Sequence, residues 1–167
     1  MTSAPRRKSR ACIRVVAATG LLAANAGLPA PAATPAASAV PASIVAFRVE
    51  ADGIPDPLGS VQGDAKRGRA LILAREDANC LLCHAVRDPD VRFAGNLGPP
   101  LDEIALKFSP AQLRLRVVDN FRLDPATIMP SYYRVDGFDR VASAYRGKPI
   151  LTAGQVEDIV AYLGTLK

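Results

Sequence analysis

The sequence predicts an all-α domain over residues 64–167, preceded by a leader and an extended arm. Two observations carry this. Three segments open on helix-start signals: Asp64, Ser109-Pro110, and Thr152 with Gln155 three residues on. The second and third of these continue with apolar residues at helical spacing. Between the first and second lies Cys80-Leu81-Leu82-Cys83-His84, the stretch around which the domain's chemistry gathers.

The leader comes first. The chain has 167 residues and a formal charge of +5, but that charge is unevenly placed. Arg6, Arg7, Lys8, Arg10 and Arg14 account for five of the 21 basic residues with no acid among them, which leaves 16 basic against 16 acidic residues beyond. A nucleic-acid binder carries its basic residues on the folded domain, so no nucleic-acid partner is expected. After the charges, residues 15–28 form an uncharged apolar run. Small-residue triplets follow: Ala24-Asn25-Ala26, Ala30-Pro31-Ala32 and Ala37-Ser38-Ala39. This is the pattern of a secretory signal peptide, with residues 1–39 as signal and Ala/Pro-rich segment and cleavage near 26–39. A membrane span needs about 20 apolar residues; this run is shorter and is broken by Gly20, Asn25 and Gly27. The expectation is therefore a periplasmic protein without a stable membrane anchor. The Arg6-Arg7 pair raises the twin-arginine route, but the general secretory route is preferred. Cys12 leaves with the leader, so no disulfide framework is expected.

Residues 40–63 read as an extended arm over the domain surface. Val45, Phe47 and Val49 alternate, and Gly53, Pro55, Pro57 and Gly59 then break the pattern. The first helix begins after Asp64. Gly68 in its middle costs about 1 kcal/mol against Ala. Close packing on another helix accounts for it; a tolerated surface glycine is the alternative.

Two thiols separated by two residues, with an imidazole immediately after, form the attachment signature of a c-type haem. Cys80 and Cys83 each add across one vinyl group to give a thioether, and His84 is held under the iron as the proximal ligand. His84 is the only histidine in the chain, which excludes a zinc site of paired cysteines and histidines. A thioredoxin-like dithiol remains as an alternative, but it calls for a βαβ context that the sequence does not display. An iron-bound histidine donates its other ring N–H to a carbonyl or carboxylate. The stiff loop Gly98-Pro99-Pro100-Leu101 is placed to supply that acceptor, and Pro99 is the nominated carbonyl; the alternative is an ordinary rigid turn.

Ser109-Pro110 opens the next helix, with Leu113, Val117 and Phe121 at helical spacing and Arg114, Arg116 and Arg122 expected in solvent, a contact of one of them with a haem propionate being the alternative. Asp124-Pro125 starts a short turn ending at Met129-Pro130. The chain has only two methionines, and Met1 belongs to the leader. If the sixth iron ligand is a thioether, it is Met129; a lysine, a water or a ligand from a partner are the competitors, and a methionine that only fills the core is the alternative. Residues 131–148 are irregular, with room for a short hairpin. Thr152 and Gln155 form a capping box. Val156, Ile159, Val160 and Leu163 then make an apolar stripe with Tyr162 beside it, so the last helix is the natural partner of the Gly68 helix, an aromatic ring lying over the glycine.

These residues resemble class I cytochrome c: a helix with Gly68, Cys80-Leu81-Leu82-Cys83-His84, Gly98-Pro99, Met129-Pro130, and a last helix with Tyr162-Leu163. The resemblance covers residues 64–167 and implies crossed N- and C-terminal helices around one covalently bound haem c. It narrows at Gly95-Asn96-Leu97-Gly98-Pro99-Pro100-Leu101, Leu113-Arg114-Leu115-Arg116-Val117-Val118-Asp119, Thr127-Ile128-Met129-Pro130 and Gly147-Lys148-Pro149-Ile150-Leu151-Thr152. There the chain resembles the SoxX family, the monohaem subunits of SoxAX complexes of sulfur oxidation. That resemblance implies Cys80 and Cys83 as haem thioethers and His84 and Met129 as axial ligands. It also implies a SoxA-like cytochrome subunit as partner in a heterodimer, whose site joins thiosulfate to a carrier-protein cysteine (an L-cysteine S-thiosulfotransferase type). The chain is then the electron-accepting, non-catalytic subunit, with a downstream cytochrome or oxidase as acceptor.

Three functions compete. The first is that electron-accepting subunit, with an apolar face near the haem edge. The second is a free periplasmic electron shuttle with a charged rim. The third is an enzyme or sensor whose sixth position is open. Filled axial positions favour electron transfer, since a thioether stabilises ferrous iron and no second histidine is present for base catalysis.

Overall fold

The computed structural model describes residues 44–76 and 78–167. The signal peptide, its cleavage region and the start of the arm lie outside the described residues. Among the described residues four α-helices follow in order: α1, Ala65–Leu73; α2, Ile104–Lys107; α3, Pro110–Asp119; α4, Ala153–Leu163. Single 3-10 turns stand at Leu58–Ser60, Cys80–Leu82, Asn120–Arg122 and Ser143–Tyr145. Among the described residues there is no β-strand; one antiparallel bridge pairs Glu50 with Gly53. None of the described helices is long and apolar enough to cross a membrane.

The helix starts have local causes. Asp64 accepts the Arg67 N–H at 2.8 Å. Ser109 and Gln112 cap each other reciprocally at 3.3 and 2.8 Å, with Pro110 in the first turn. Thr152 and Gln155 do the same at 3.2 and 2.8 Å. Each reciprocal box satisfies two donors that a helix start otherwise leaves open.

α1 and α4 pack against each other, and Gly68 is where they meet. A Cβ at residue 68 would lie 1.9 Å from the Asp158 carbonyl oxygen and 2.9 Å from the Tyr162 Cβ. The space is therefore taken by the main chain of α4 rather than by the Tyr162 ring. Val156, Ile159, Val160, Tyr162 and Leu163 are all buried along α4. Asp158 ties the two helices further, accepting from the Asp64 N–H at 2.7 Å and from Arg67 Nε and Nη2 at 2.8 and 2.7 Å.

Residues 44–49 keep the alternation read from the sequence: Val45, Phe47 and Val49 are half-buried between exposed neighbours. Val45 N–H donates to the Tyr133 hydroxyl at 2.8 Å, and the Phe47 ring sits 6.2 Å from the Tyr133 ring. Beyond them the chain enters the core, with Ile54 and Leu58 each 1% exposed. The breaker residues hid this contribution, because isolated apolar residues between prolines carry no period.

Arg114 corrects an expectation of solvent exposure. It is buried and forms a two-pronged pair with Glu157, Nε to Oε1 at 2.7 Å and Nη2 to Oε2 at 2.9 Å. Its Nη1 donates to the Ile54 carbonyl at 2.6 Å, and Glu157 also accepts the Leu58 N–H at 2.9 Å. The buried charges are tolerated because each has partners on both the opposing side chain and the incoming main chain. Phe121 departs as well. α3 stops at Asp119, whose φ of −161° leaves the helical region, so Phe121 falls in the following 3-10 turn and is exposed. Residues 131–148 contain no hairpin; their one regular feature is the turn at Ser143–Tyr145.

Candidate haem-binding cleft

The Cys80–Leu82 turn follows Asn79, whose φ of +48° is the left-handed conformation that asparagine tolerates better than most residues. His84 N–H donates to the Cys80 carbonyl at 2.9 Å, so both thiols and the imidazole belong to one tight turn. Cys80 and Cys83 are free thiols with no disulfide between them. Burial pushes the Cys80 thiol up to about 11. A redox-active dithiol needs the opposite shift, which weakens the thioredoxin-like alternative.

The loop from Gly95 to Leu101 is sewn to this turn by three main-chain bonds. Gly95 N–H reaches the Leu81 carbonyl at 2.8 Å, Gly98 the Cys83 carbonyl at 2.9 Å, and Leu101 the Ala85 carbonyl at 2.8 Å. That register puts His84 Nδ1 2.7 Å from the Pro99 carbonyl oxygen. A carbonyl only accepts, so Nδ1 is the donor there and Nε2 is the ring nitrogen left to face a metal. Gly98 makes room for the ring: a Cβ there would stand 2.4 Å from His84 Cε1.

Cys80, Cys83, His84, Pro99 and Met129 all line one cleft of about 370 Å³. Ile72, Leu101, Ile104, Leu113, Val117 and Leu163 supply most of its apolar wall. The donor set fits a c-type haem: two unpaired thiols, an imidazole held through its Nδ1, and a thioether, in a slot with a largely apolar wall. Among the described residues no cluster of three or more His, Cys, Asp or Glu side chains is placed to hold a bare metal ion.

Arg116 corrects the expectation of solvent exposure, and other residues at the cleft carried no signal in the sequence. Arg116 lines it, half-buried, with its guanidinium 3.8 Å from the Phe108 ring centroid, and burial lowers its pKa from the usual arginine value. Tyr132 lines it too; its hydroxyl donates to the Ala78 carbonyl at 2.8 Å, and burial raises its pKa above the usual phenol value. At the end of α3, Asp119 and Asn120 hold the chain on either side of Met129. These roles depend on which segments meet, and no local spacing announces them. Leu97 and Ile128 also line the cleft while 70% and 75% exposed, so its mouth is apolar.

No protein-family model matches the chain, and no curated protein matches it. Among solved structures, the crystal structure of SoxXA from P. pantotrophus contains a similar chain. The two are 35% identical with a TM-score of 0.67, over 72% of this chain and 94% of that one.

Proposed function

The chain belongs to the SoxX family, and from that premise we propose that it is a periplasmic monohaem cytochrome, the electron-accepting subunit of a SoxAX-type complex. In this reading Cys80 and Cys83 anchor one haem c through thioethers, and His84 and Met129 ligate its iron. The observation that carries it is that these four residues line a single apolar cleft. When bound, the haem supplies a one-electron ferric/ferrous couple. His84 presents Nε2 with its orientation held by the Pro99 carbonyl. The Met129 thioether favours the reduced state, and the apolar wall raises the potential further by keeping out water. The α1–α4 contact at Gly68 supports the crossed-helix arrangement of the class I cytochrome fold.

The partner is a SoxA-like cytochrome subunit at which thiosulfate is oxidatively coupled to a carrier-protein cysteine. This chain takes the released electrons and hands them to a downstream cytochrome or oxidase. The apolar mouth at Leu97 and Ile128 favours a fixed partner over a free shuttle, whose rim is expected to be charged. Purification from the source periplasm tests this. A second cytochrome should accompany the chain, and thiosulfate should reduce the haem only in its presence. A monomer reduced without a companion, or one that takes up carbon monoxide at neutral pH, refutes the proposal.

A further inference from the structure

On the reading that Met129 is the axial thioether, we propose that Asp119 and Asn120 are positioning residues that fix it by gripping the chain two residues before and two residues after it. α3 ends at Asp119, and Asn120 opens the 3-10 turn that follows. On the near side, Asn120 Nδ2 donates to the Thr127 hydroxyl oxygen at 2.9 Å. The same oxygen accepts the main-chain N–H of Met129 at 3.2 Å. On the far side, the Ser131 hydroxyl donates to the Asp119 carboxylate in a short hydrogen bond. That carboxylate is buried and also faces Arg134 Nη1 at 3.3 Å and Arg122 Nε at 3.4 Å. The Tyr132 and Tyr133 N–H groups then bond to the Val117 and Val118 carbonyls at 3.3 and 3.2 Å, which continues the attachment along α3.

Residues 127 and 131 thus bracket residue 129, and both are tied to consecutive residues of one helix end. The other bonds of the loop are local to it, from the Thr127 N–H to the Asp124 carbonyl at 3.1 Å and from the Ala126 N–H to the Asp124 carboxylate at 2.9 Å. Ile128 and Pro130 are exposed on either side of Met129, so the burial of its immediate neighbours does not fix the loop. A methionine has three flexible side-chain torsions, and an unframed loop adds main-chain freedom that ligation must then remove. The two-sided grip removes that freedom in advance and keeps the thioether competitive against ligands from solution.

The test uses the ferric holoprotein titrated with imidazole, followed by the far-red charge-transfer absorption of thioether-ligated ferric haem. Thr127→Val removes the shared acceptor with little change of shape. It should let imidazole displace the thioether at about tenfold lower concentration, the equivalent of roughly one lost hydrogen bond. Asn120→Ala and Ser131→Ala, which removes the donor to Asp119, should move the midpoint in the same direction. The Asn120→Ala/Thr127→Val pair should add little to Thr127→Val alone, because both bonds end on one hydroxyl. Thr152→Ala, which removes the cap of α4 far from this loop in sequence, should lower global stability and leave the imidazole midpoint unchanged. Met129→Ala marks the open site. Wild type that takes up imidazole as readily as Met129→Ala defeats the axial assignment itself. Wild type that resists it, with Thr127→Val, Asn120→Ala and Ser131→Ala all at the wild-type midpoint, leaves the assignment standing and overturns the grip.

Discussion

Replacing Gly68 with alanine separates local helix preference from tertiary contact, because the two have opposite signs. In an isolated helix the change stabilises by about 1 kcal/mol. Here the new methyl would stand 1.9 Å from the Asp158 carbonyl oxygen and 2.5 Å from its carbon. Ordinary contact begins at 3.4 Å, so α1 and α4 must part by about 1.5 Å at this point. The obstruction is α4 main chain, which cannot swing aside as a side chain does. Nor can α1 withdraw freely, because the Asp64 N–H and the Arg67 guanidinium sit at 2.7–2.8 Å from the Asp158 carboxylate. A parting of that size takes these contacts beyond hydrogen-bond length. Overpacking against a rigid neighbour costs up to about 3 kcal/mol, and the lost Asp64 N–H bond to the carboxylate about 1 more, while the exposed Arg67 pair is screened by solvent and adds little. Set against the helix preference, the net loss is about 3 kcal/mol, a large share of the roughly 5–15 kcal/mol that stabilises a domain. Guanidinium unfolding of the mature holoprotein, followed by far-UV circular dichroism, reads it directly. Gly154→Ala is the control. It sits in the first turn of α4, where the nearest atom to a new Cβ is a Val61 methyl at 3.9 Å, and it should be neutral or stabilising by up to about 1 kcal/mol. A Gly68→Ala protein as stable as wild type would refute the close-contact argument.

Three further outcomes follow from the same geometry. Gly98→Ala puts a methyl 2.4 Å from His84 Cε1 and should push the ring about 1 Å off the Pro99 carbonyl. A less basic imidazole disfavours ferric iron, so a redox titration should show the potential rise by about 20–60 mV, one hydrogen bond's worth for a one-electron couple; an unchanged or lower value contradicts it. Glu157→Ala strands Arg114 and the Leu58 N–H in the core and should cost about 3–5 kcal/mol in chemical denaturation. The Arg114→Met/Glu157→Leu pair should recover most of that loss, and a single variant costing under about 1 kcal/mol would mean the pair is not desolvated. In acid, Asp158 and Asp88 matter, because hydrogen bonds from Arg67 and Arg69 hold their carboxyls below the usual carboxylate range. The folded form then binds fewer protons than the unfolded one near pH 4, so this stability is present above about pH 4 and is lost as pH falls through the depressed values. Arg67→Gln should flatten the acid limb of a stability-against-pH curve; an unaltered limb would remove Asp158 from the account.

What was legible in the sequence is what depends on neighbours along the chain. The caps at Asp64, Ser109 and Thr152 rest on residues three apart, and the attachment turn on five consecutive residues. Such patterns need no knowledge of the fold, since a side chain that reaches its own backbone within one turn finds it in any context. The family resemblance rode on the same local motifs. What the tertiary structure alone decided lies across long separations. Arg114 meets Glu157 43 residues away, and Leu58 N–H meets it across 99. Asp119 and Asn120 reach Ser131 and Thr127 only because α3 stops where it does. The sequence nominates the Pro99 carbonyl as the acceptor for His84, and the structure puts it there; the three main-chain bonds to the turn that hold it in register have no local pattern. A charged residue on a helix reads as solvated until the fold brings up its counterion. Burial and pairing belong to the assembled chain because the desolvation cost and its compensation come from different segments.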